Sequence, residues 1–243
     1  DYIMNIDVTH IPYVSSLWYE IDYEEFAKGG HIEPCLFSNI DLSECSYTEF
    51  WNKTLTPFMG EQRALRLRSP LDRVVAALPR GATIKQIGTM SSRGELDIMR
   101  LVIMFSSWES VFPGLASIGW QGDTEALRIA LDPWKESRNI AVNIDLGEQG
   151  VLPKIGIEVF SRWRHPLLVD KFIARLEEAG LCLPSKGEAL RRWIRIRPDG
   201  DPFIQTLVSY FKLNYKDGRV TEAKAYLEQS PYIHHHYFDA YAR

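Results

Sequence analysis

The residues with chemical potential in this chain are charged side chains at alternating positions in four segments that read as strand pairs. Arg100, Lys154, Lys212 and Lys224 share one phase with Glu20, Asp22, Glu33, Asp145, Glu158 and Glu228, and Asn143, Asn214, Tyr210 and Tyr226 lie among them. Successive side chains on a strand point to opposite faces, so this spacing puts cations and carboxylates on one surface. Cations there neutralise an anionic substrate group, and carboxylates move protons or hold a cationic partner. His31-x-Glu33 also sets two metal-ligating side chains on one strand face, with Glu20 or Asp22 opposite, a weak metal candidate. His234, His235 and His236 with Asp239 are a second one, but consecutive histidines seldom aim at one ion and read better as a packing segment.

The elements that position these groups recur. Leu17–Tyr23 with Gly30–Phe37, Thr83–Met90 with Asp97–Phe105, Asn139–Gly147 with Lys154–Phe160, and Ser209–Tyr215 with Thr221–Glu228 each read as a hairpin. Asp217-Gly218 is a strong turn signal, Gly147-Glu-Gln-Gly150 and Arg93-Gly94 are weaker ones, and Pro34 suits an edge or bulge. Helices are expected at Tyr47–Phe58, from a Ser69 cap with Pro70 at its first position, at Trp108–Ile118, at Asp123–Leu131, at Pro166–Ala179 ending at Gly180, and at Ser185–Ile194 with a Ser185/Glu188 capping box. Trp108, Trp120, Trp134, Trp163 and Trp193 are suited to anchoring those helices on a sheet. The expected fold is α/β: an antiparallel β-barrel or strongly curved sheet of repeated helix–hairpin units, helices outside, as a single domain over residues 1–243. Closure would remove the sheet edges and converge the polar groups on one lumen.

Composition excludes several classes. The 243 residues carry 28 Lys and Arg against 32 Asp and Glu, with 45% hydrophobic residues, which is ordinary globular usage. Net acidity argues against nucleic acid as a partner, and Arg162–His165 and Arg191–Arg197 read as helix surfaces. No apolar run is long enough to span a bilayer. Three cysteines without a CxxC pair suit a reducing, cytoplasmic setting, and neither a G-x-S-x-G elbow nor a strand–Gly-loop–helix phosphate motif is present.

The repeated units, each with a cation at or near the start of the second strand, resemble the aromatic (ABBA-type) prenyltransferases, whose fold is the PT barrel. Phe211–Leu227 is the closest passage: a Lys on one strand faces a Lys-x-Tyr on the next. The resemblance covers roughly residues 80–230 as a pattern, and Leu78–Arg93 is similar to bacterial proteins of peptide natural-product pathways. It implies an allylic diphosphate as co-substrate, held by Arg100, Lys154, Lys212 and Lys224, with Tyr210 and Tyr226 shielding the carbocation. Glu20 or Glu33 becomes the acceptor-side catalytic carboxylate, and Asn143, Asp145, Glu158 and Glu228 bind the acceptor, a peptide side chain or small aromatic molecule. No redox cofactor is implied, and a Mg²⁺ requirement stays open. Two further readings use the same surface: a non-catalytic peptide-binding or scaffold protein of a peptide-modification pathway, and a carboxylate- or metal-dependent hydrolase or lyase.

Overall fold

A computed structural model describes residues 14–20, 34–41, 46–90, 95–135, 139–160, 166–194 and 204–231. Eight strands form one antiparallel sheet in chain order: β1 (Val14–Glu20), β2 (Cys35–Ile40), β3 (Thr83–Met90), β4 (Glu95–Phe105), β5 (Asn139–Gly147), β6 (Gly150–Phe160), β7 (Ile204–Lys216) and β8 (Arg219–Pro231). They match the four expected hairpins; in the first, the strands overlap the expected ones at Leu17–Glu20 and Cys35–Phe37 and extend to Val14 and Ile40. Asp22, His31 and Glu33 fall outside the described residues, as do the Arg93-Gly94 turn, Trp163 and the His234–His236 run. Asp217 at φ 52° and Gly218 at φ 81° supply the left-handed pair that a tight two-residue turn requires.

A helical pair fills each interval between hairpins. Tyr47–Phe50, the wider π turn Trp51–Leu55 and Thr56–Met59 run on as α1, followed by α2 (Glu61–Ala77). Next come α3 (Trp108–Ser117) with α4 (Thr124–Leu131), and finally α5 (Pro166–Glu178) with α6 (Pro184–Trp193). Ser46, Ser107 and Asp123 cap α1, α3 and α4 by accepting from backbone N–H groups of the first turn. Two expected starts are corrected. α2 begins at Glu61 and carries Pro70 inside, because Ala64, Leu67, Leu71 and Val74 already form its buried stripe, while Ser69 accepts from the Arg73 guanidinium instead of capping. α6 opens on Pro184, and Glu188 pairs with Arg192 rather than closing a capping box.

The helices pack on one face of the sheet. Met99, Leu101, Ile103, Ile140, Val142, Ile144, Ile155, Ile157, Phe211 and Leu213 meet Leu67, Leu115, Leu127 and Phe172 in one continuous core. Phe172 stacks on Phe211 at 4.5 Å between centroids. Trp120 donates to the Pro153 carbonyl and Trp193 to that of Leu207, tying helix and loop to strand. No described helix is long and apolar enough to cross a membrane.

The other face is strongly curved. Six strand steps of about 4.8 Å would hold Glu20 on β1 about 29 Å from Lys212 on β7 in a flat sheet, beyond the reach of screened charge. Yet the Glu20 carboxylate acts electrostatically on both Lys212 and Tyr210. The sheet therefore curls until its first strand looks across at its seventh, although β1 and β8 do not pair among the described residues.

Candidate functional site on the concave face

Strand register places the concave side chains in rows. One row crosses all eight strands: Ser16, Asn39, Gln86, Val102, Asn143, Gly156, Asn214 and Glu222 are successive cross-strand neighbours. On one side of it run Trp18, Phe37, Gly88, Arg100 and Asp145. On the other run Met104, Ala141, Glu158, Lys212 and Lys224, and Tyr210 faces Tyr226 beyond them. Phase alone thus brings Arg100, Asn143, Asp145, Glu158, Lys212, Lys224, Tyr210 and Tyr226 onto one surface, with Glu20 opposite. Glu228 lies two residues past Tyr226 on β8 and is half-buried.

Lys154 is set apart. Between Ile144↔Ile155 and Leu146↔Val151 the β6 strand bulges, and Lys154 lies exposed in that bulge. Its neighbour Pro153 is held by Trp120 on the helical side.

The buried charges satisfy one another. Arg100 grips Asp145 with Nε to Oδ1 at 2.7 Å and Nη2 to Oδ2 at 2.8 Å, both residues 7% exposed. Asn143 bridges the second pair: its Nδ2 donates to Glu158 Oε1 at 2.8 Å, and its Oδ1 accepts from the Lys212 ammonium, which stands 4.0 Å from the same carboxylate oxygen. Arg100 and Lys212 balance Asp145 and Glu158, so the described buried charges sum to zero. Gly156 makes the bridge possible. A Cβ there would sit 2.5 Å from Lys212 Cε, so the lysine stem reaches Asn143 only by crossing a residue without a side chain.

Burial dominates the electrostatics. Desolvation lowers Lys212 to about 8 despite the pull of Glu158, and it raises Glu158 despite Lys212, Asn143 and Arg100. Desolvation also drives the Tyr210 hydroxyl far up, helped by the negative charge of Glu158. Tyr210 and Tyr226 stack with centroids 4.2 Å apart and planes 16° from parallel. Lys212 and Lys224 lie directly opposite each other beside that pair, and Lys224 Nζ is 3.8 Å from Glu222 Oε1. The stacked rings and the Lys224 ammonium thus occupy one block of β7 and β8, while the Lys212 ammonium reaches from that block across Gly156 to Asn143 on β5. That block suits an anion joined to a group that becomes cationic. No cluster of three or more His, Cys, Asp or Glu residues among those described is placed to hold a metal ion.

Sequence reasoning missed the amides and apolar side chains that the β1–β3 half contributes. Gln86 Nε2 donates to Asn39 Oδ1 at 2.9 Å, and Asn39 Nδ2 to Ser16 Oγ at 2.7 Å. Beside them Cys35, Phe37 and Met90 form a small apolar cluster, Phe37 lying against Gly88. Asn39 and Gln86 sit in segments with little alternation. The signal that was present is the amide at matching phase in Asn39, Gln86, Asn143 and Asn214. Compared with known protein families, curated proteins and solved structures, the chain gives no match.

Proposed function

We propose that the concave face is a ligand chamber and that the chain is a prenyltransferase-like enzyme acting on a peptide side chain or small aromatic acceptor. The observation that supports this most is the β7–β8 block, in which Lys212 faces Lys224 and Tyr210 faces Tyr226. In this reading the two ammonium groups hold an allylic diphosphate and the stacked tyrosines cover the allylic carbon. The C–O bond breaks, and diphosphate leaves with the bonding electron pair on its oxygen. The acceptor forms the new bond to carbon, and its proton passes to a carboxylate, a role this reading gives to Glu20. Arg100 and Asp145 act as a strut, because each is already held by two hydrogen bonds.

The test is thermal denaturation with dimethylallyl S-thiolodiphosphate, which cannot react. At 100-fold excess over Kd a ligand adds about 2.7 kcal/mol, roughly 5–10 °C for a chain of this size. The expected shift disappears in Lys224→Ala, whose side chain is partly exposed. No shift, or the same shift in that variant, would count against the reading. A second reading, peptide binding without chemistry, is favoured by the self-satisfied Asn143–Glu158–Lys212 bridge. It predicts peptide capture with no mass change on incubation with allylic diphosphates.

A further inference from the structure

We propose that Lys212 captures a small aldehyde or ketone as an imine, with Glu158 supplying the proton that expels water. The inference concerns the chain with no diphosphate bound and does not rest on prenyl transfer. The contacts around Lys212 suit an amine better than an ammonium. An ammonium offers three N–H donors, and one this deeply buried ordinarily has them filled. Lys212 makes one hydrogen bond, to Asn143 Oδ1, and Glu158 Oε1 stands 4.0 Å from its nitrogen, beyond hydrogen-bond reach. Asn143 joins the two groups instead, donating from Nδ2 to that Oε1 at 2.8 Å while its Oδ1 accepts from Lys212. Glu158 Oε2 makes no hydrogen bond among the described residues and can carry a proton. A neutral amine beside a neutral carboxyl fits this arrangement and leaves the nitrogen lone pair open.

The surroundings favour that neutral pair. Lys224 lies directly opposite Lys212 on β8, and a second cation close by disfavours protonation of the first. Burial lowers Lys212 to about 8 against the pull of Glu158, Glu20 and Asp145, helped by Arg100, and the Tyr210 hydroxyl on β7 stays neutral. About a tenth of the side chain is then free amine at pH 7. Burial shifts Glu158 the other way, toward its protonated form. The Nζ lone pair bonds to the carbonyl carbon while the carbonyl π pair moves to oxygen, which takes a proton from the nitrogen. Glu158 then protonates that hydroxyl. The C–O bond breaks with its pair on the departing water, and the nitrogen lone pair forms the C=N bond. The products are a protonated imine, the Glu158 carboxylate beside it and one water, so no further reactant is required. A neutral carbonyl compound brings no charge to desolvate, which suits a side chain only 9% exposed.

The test is trapping of the full chain at pH 7 with propanal and cyanoborohydride, which reduces the imine, followed by intact mass and peptide mapping. Lys212 is expected to gain a propyl group at least about tenfold faster than the exposed Lys154, because more of it is free amine. Labelling of Lys212 no faster than Lys154 would overturn the inference, and that comparison needs no variant. Glu158→Gln still accepts from Asn143 but has no proton to give. It should slow capture at Lys212 at least about tenfold while Lys154 labels at the parent rate. Equal capture in that variant would remove Glu158 from the step and overturn the proposal as stated. No diphosphate is present during trapping, so capture without a thiolodiphosphate shift sinks only the transfer reading. A shift without capture sinks only this one.

Discussion

Replacing Gly156 by alanine probes the centre of the concave face with a single methyl group. That carbon would stand 2.5 Å from Lys212 Cε, 3.2 Å from Asn214 Oδ1 and 3.4 Å from Asn143 Cβ. Ordinary carbon–carbon contact is about 3.6 Å, so the lysine stem must retreat by about 1 Å, which pulls Nζ away from Asn143. Overpacking of this kind costs about 1–3 kcal/mol. At roughly 2–4 °C per kcal/mol, Gly156→Ala should lower Tm by about 2–12 °C. A double-mutant cycle isolates the cause. With Lys212→Ala the nearest obstacle is gone, and alanine in a strand is favoured over glycine by about 0.5–1 kcal/mol. Gly156→Ala should then be neutral or stabilising, for a coupling of about 2 kcal/mol in urea unfolding at constant m. An equal cost in both backgrounds would refute the claim that the Lys212 stem lies across Gly156.

Other perturbations give distinct readouts. Asp145→Ala leaves the Arg100 guanidinium buried without its bidentate partner and should cost about 3–5 kcal/mol in urea unfolding, most of it recovered by pairing Arg100→Met with Asp145→Leu. Lys212 titrates near 8 in the fold against an ordinary 10.5, so between those values the unfolded chain binds more protons and stability rises with pH. Below about pH 8 both states are protonated and the full penalty stands; Lys212→Met should abolish the alkaline slope of the urea midpoint. Glu158 is shifted the opposite way, so its native form holds a proton more readily than the unfolded chain. Stability from that proton is therefore lost as pH rises above the ordinary carboxylate range, and Glu158→Gln should flatten that limb.

Alternation made the hairpins and their polar face legible, because Val142, Ile144, Ile155, Ile157, Phe211 and Leu213 all bury on the helical side. It did not reveal which charge meets which. Phase puts Arg100, Asp145, Glu158 and Lys212 on one surface, but pairing depends on register, which a sequence carries only weakly. Lys154 escaped the pattern because a bulge at Leu152–Lys154 interrupts the period of two. The continuation of β2 through Ile40 was not legible because β2 is buried on both sides, Cys35 and Phe37 on the concave face and Ser38 and Ile40 on the other. A strand covered twice shows no alternation to read. Pro70 suggested a helix start, yet the apolar stripe of α2 continues through it.

A crystal structure of the chain with dimethylallyl S-thiolodiphosphate tests the central claim most directly. The account predicts phosphate oxygens about 3 Å from the Lys212 and Lys224 ammonium groups, with the prenyl chain against Tyr210 and Tyr226. Ligand density on the outer side instead, in the cavity of about 520 Å³ between Trp134, Leu181 and Val220 or beside Arg63 and Arg66, would contradict it.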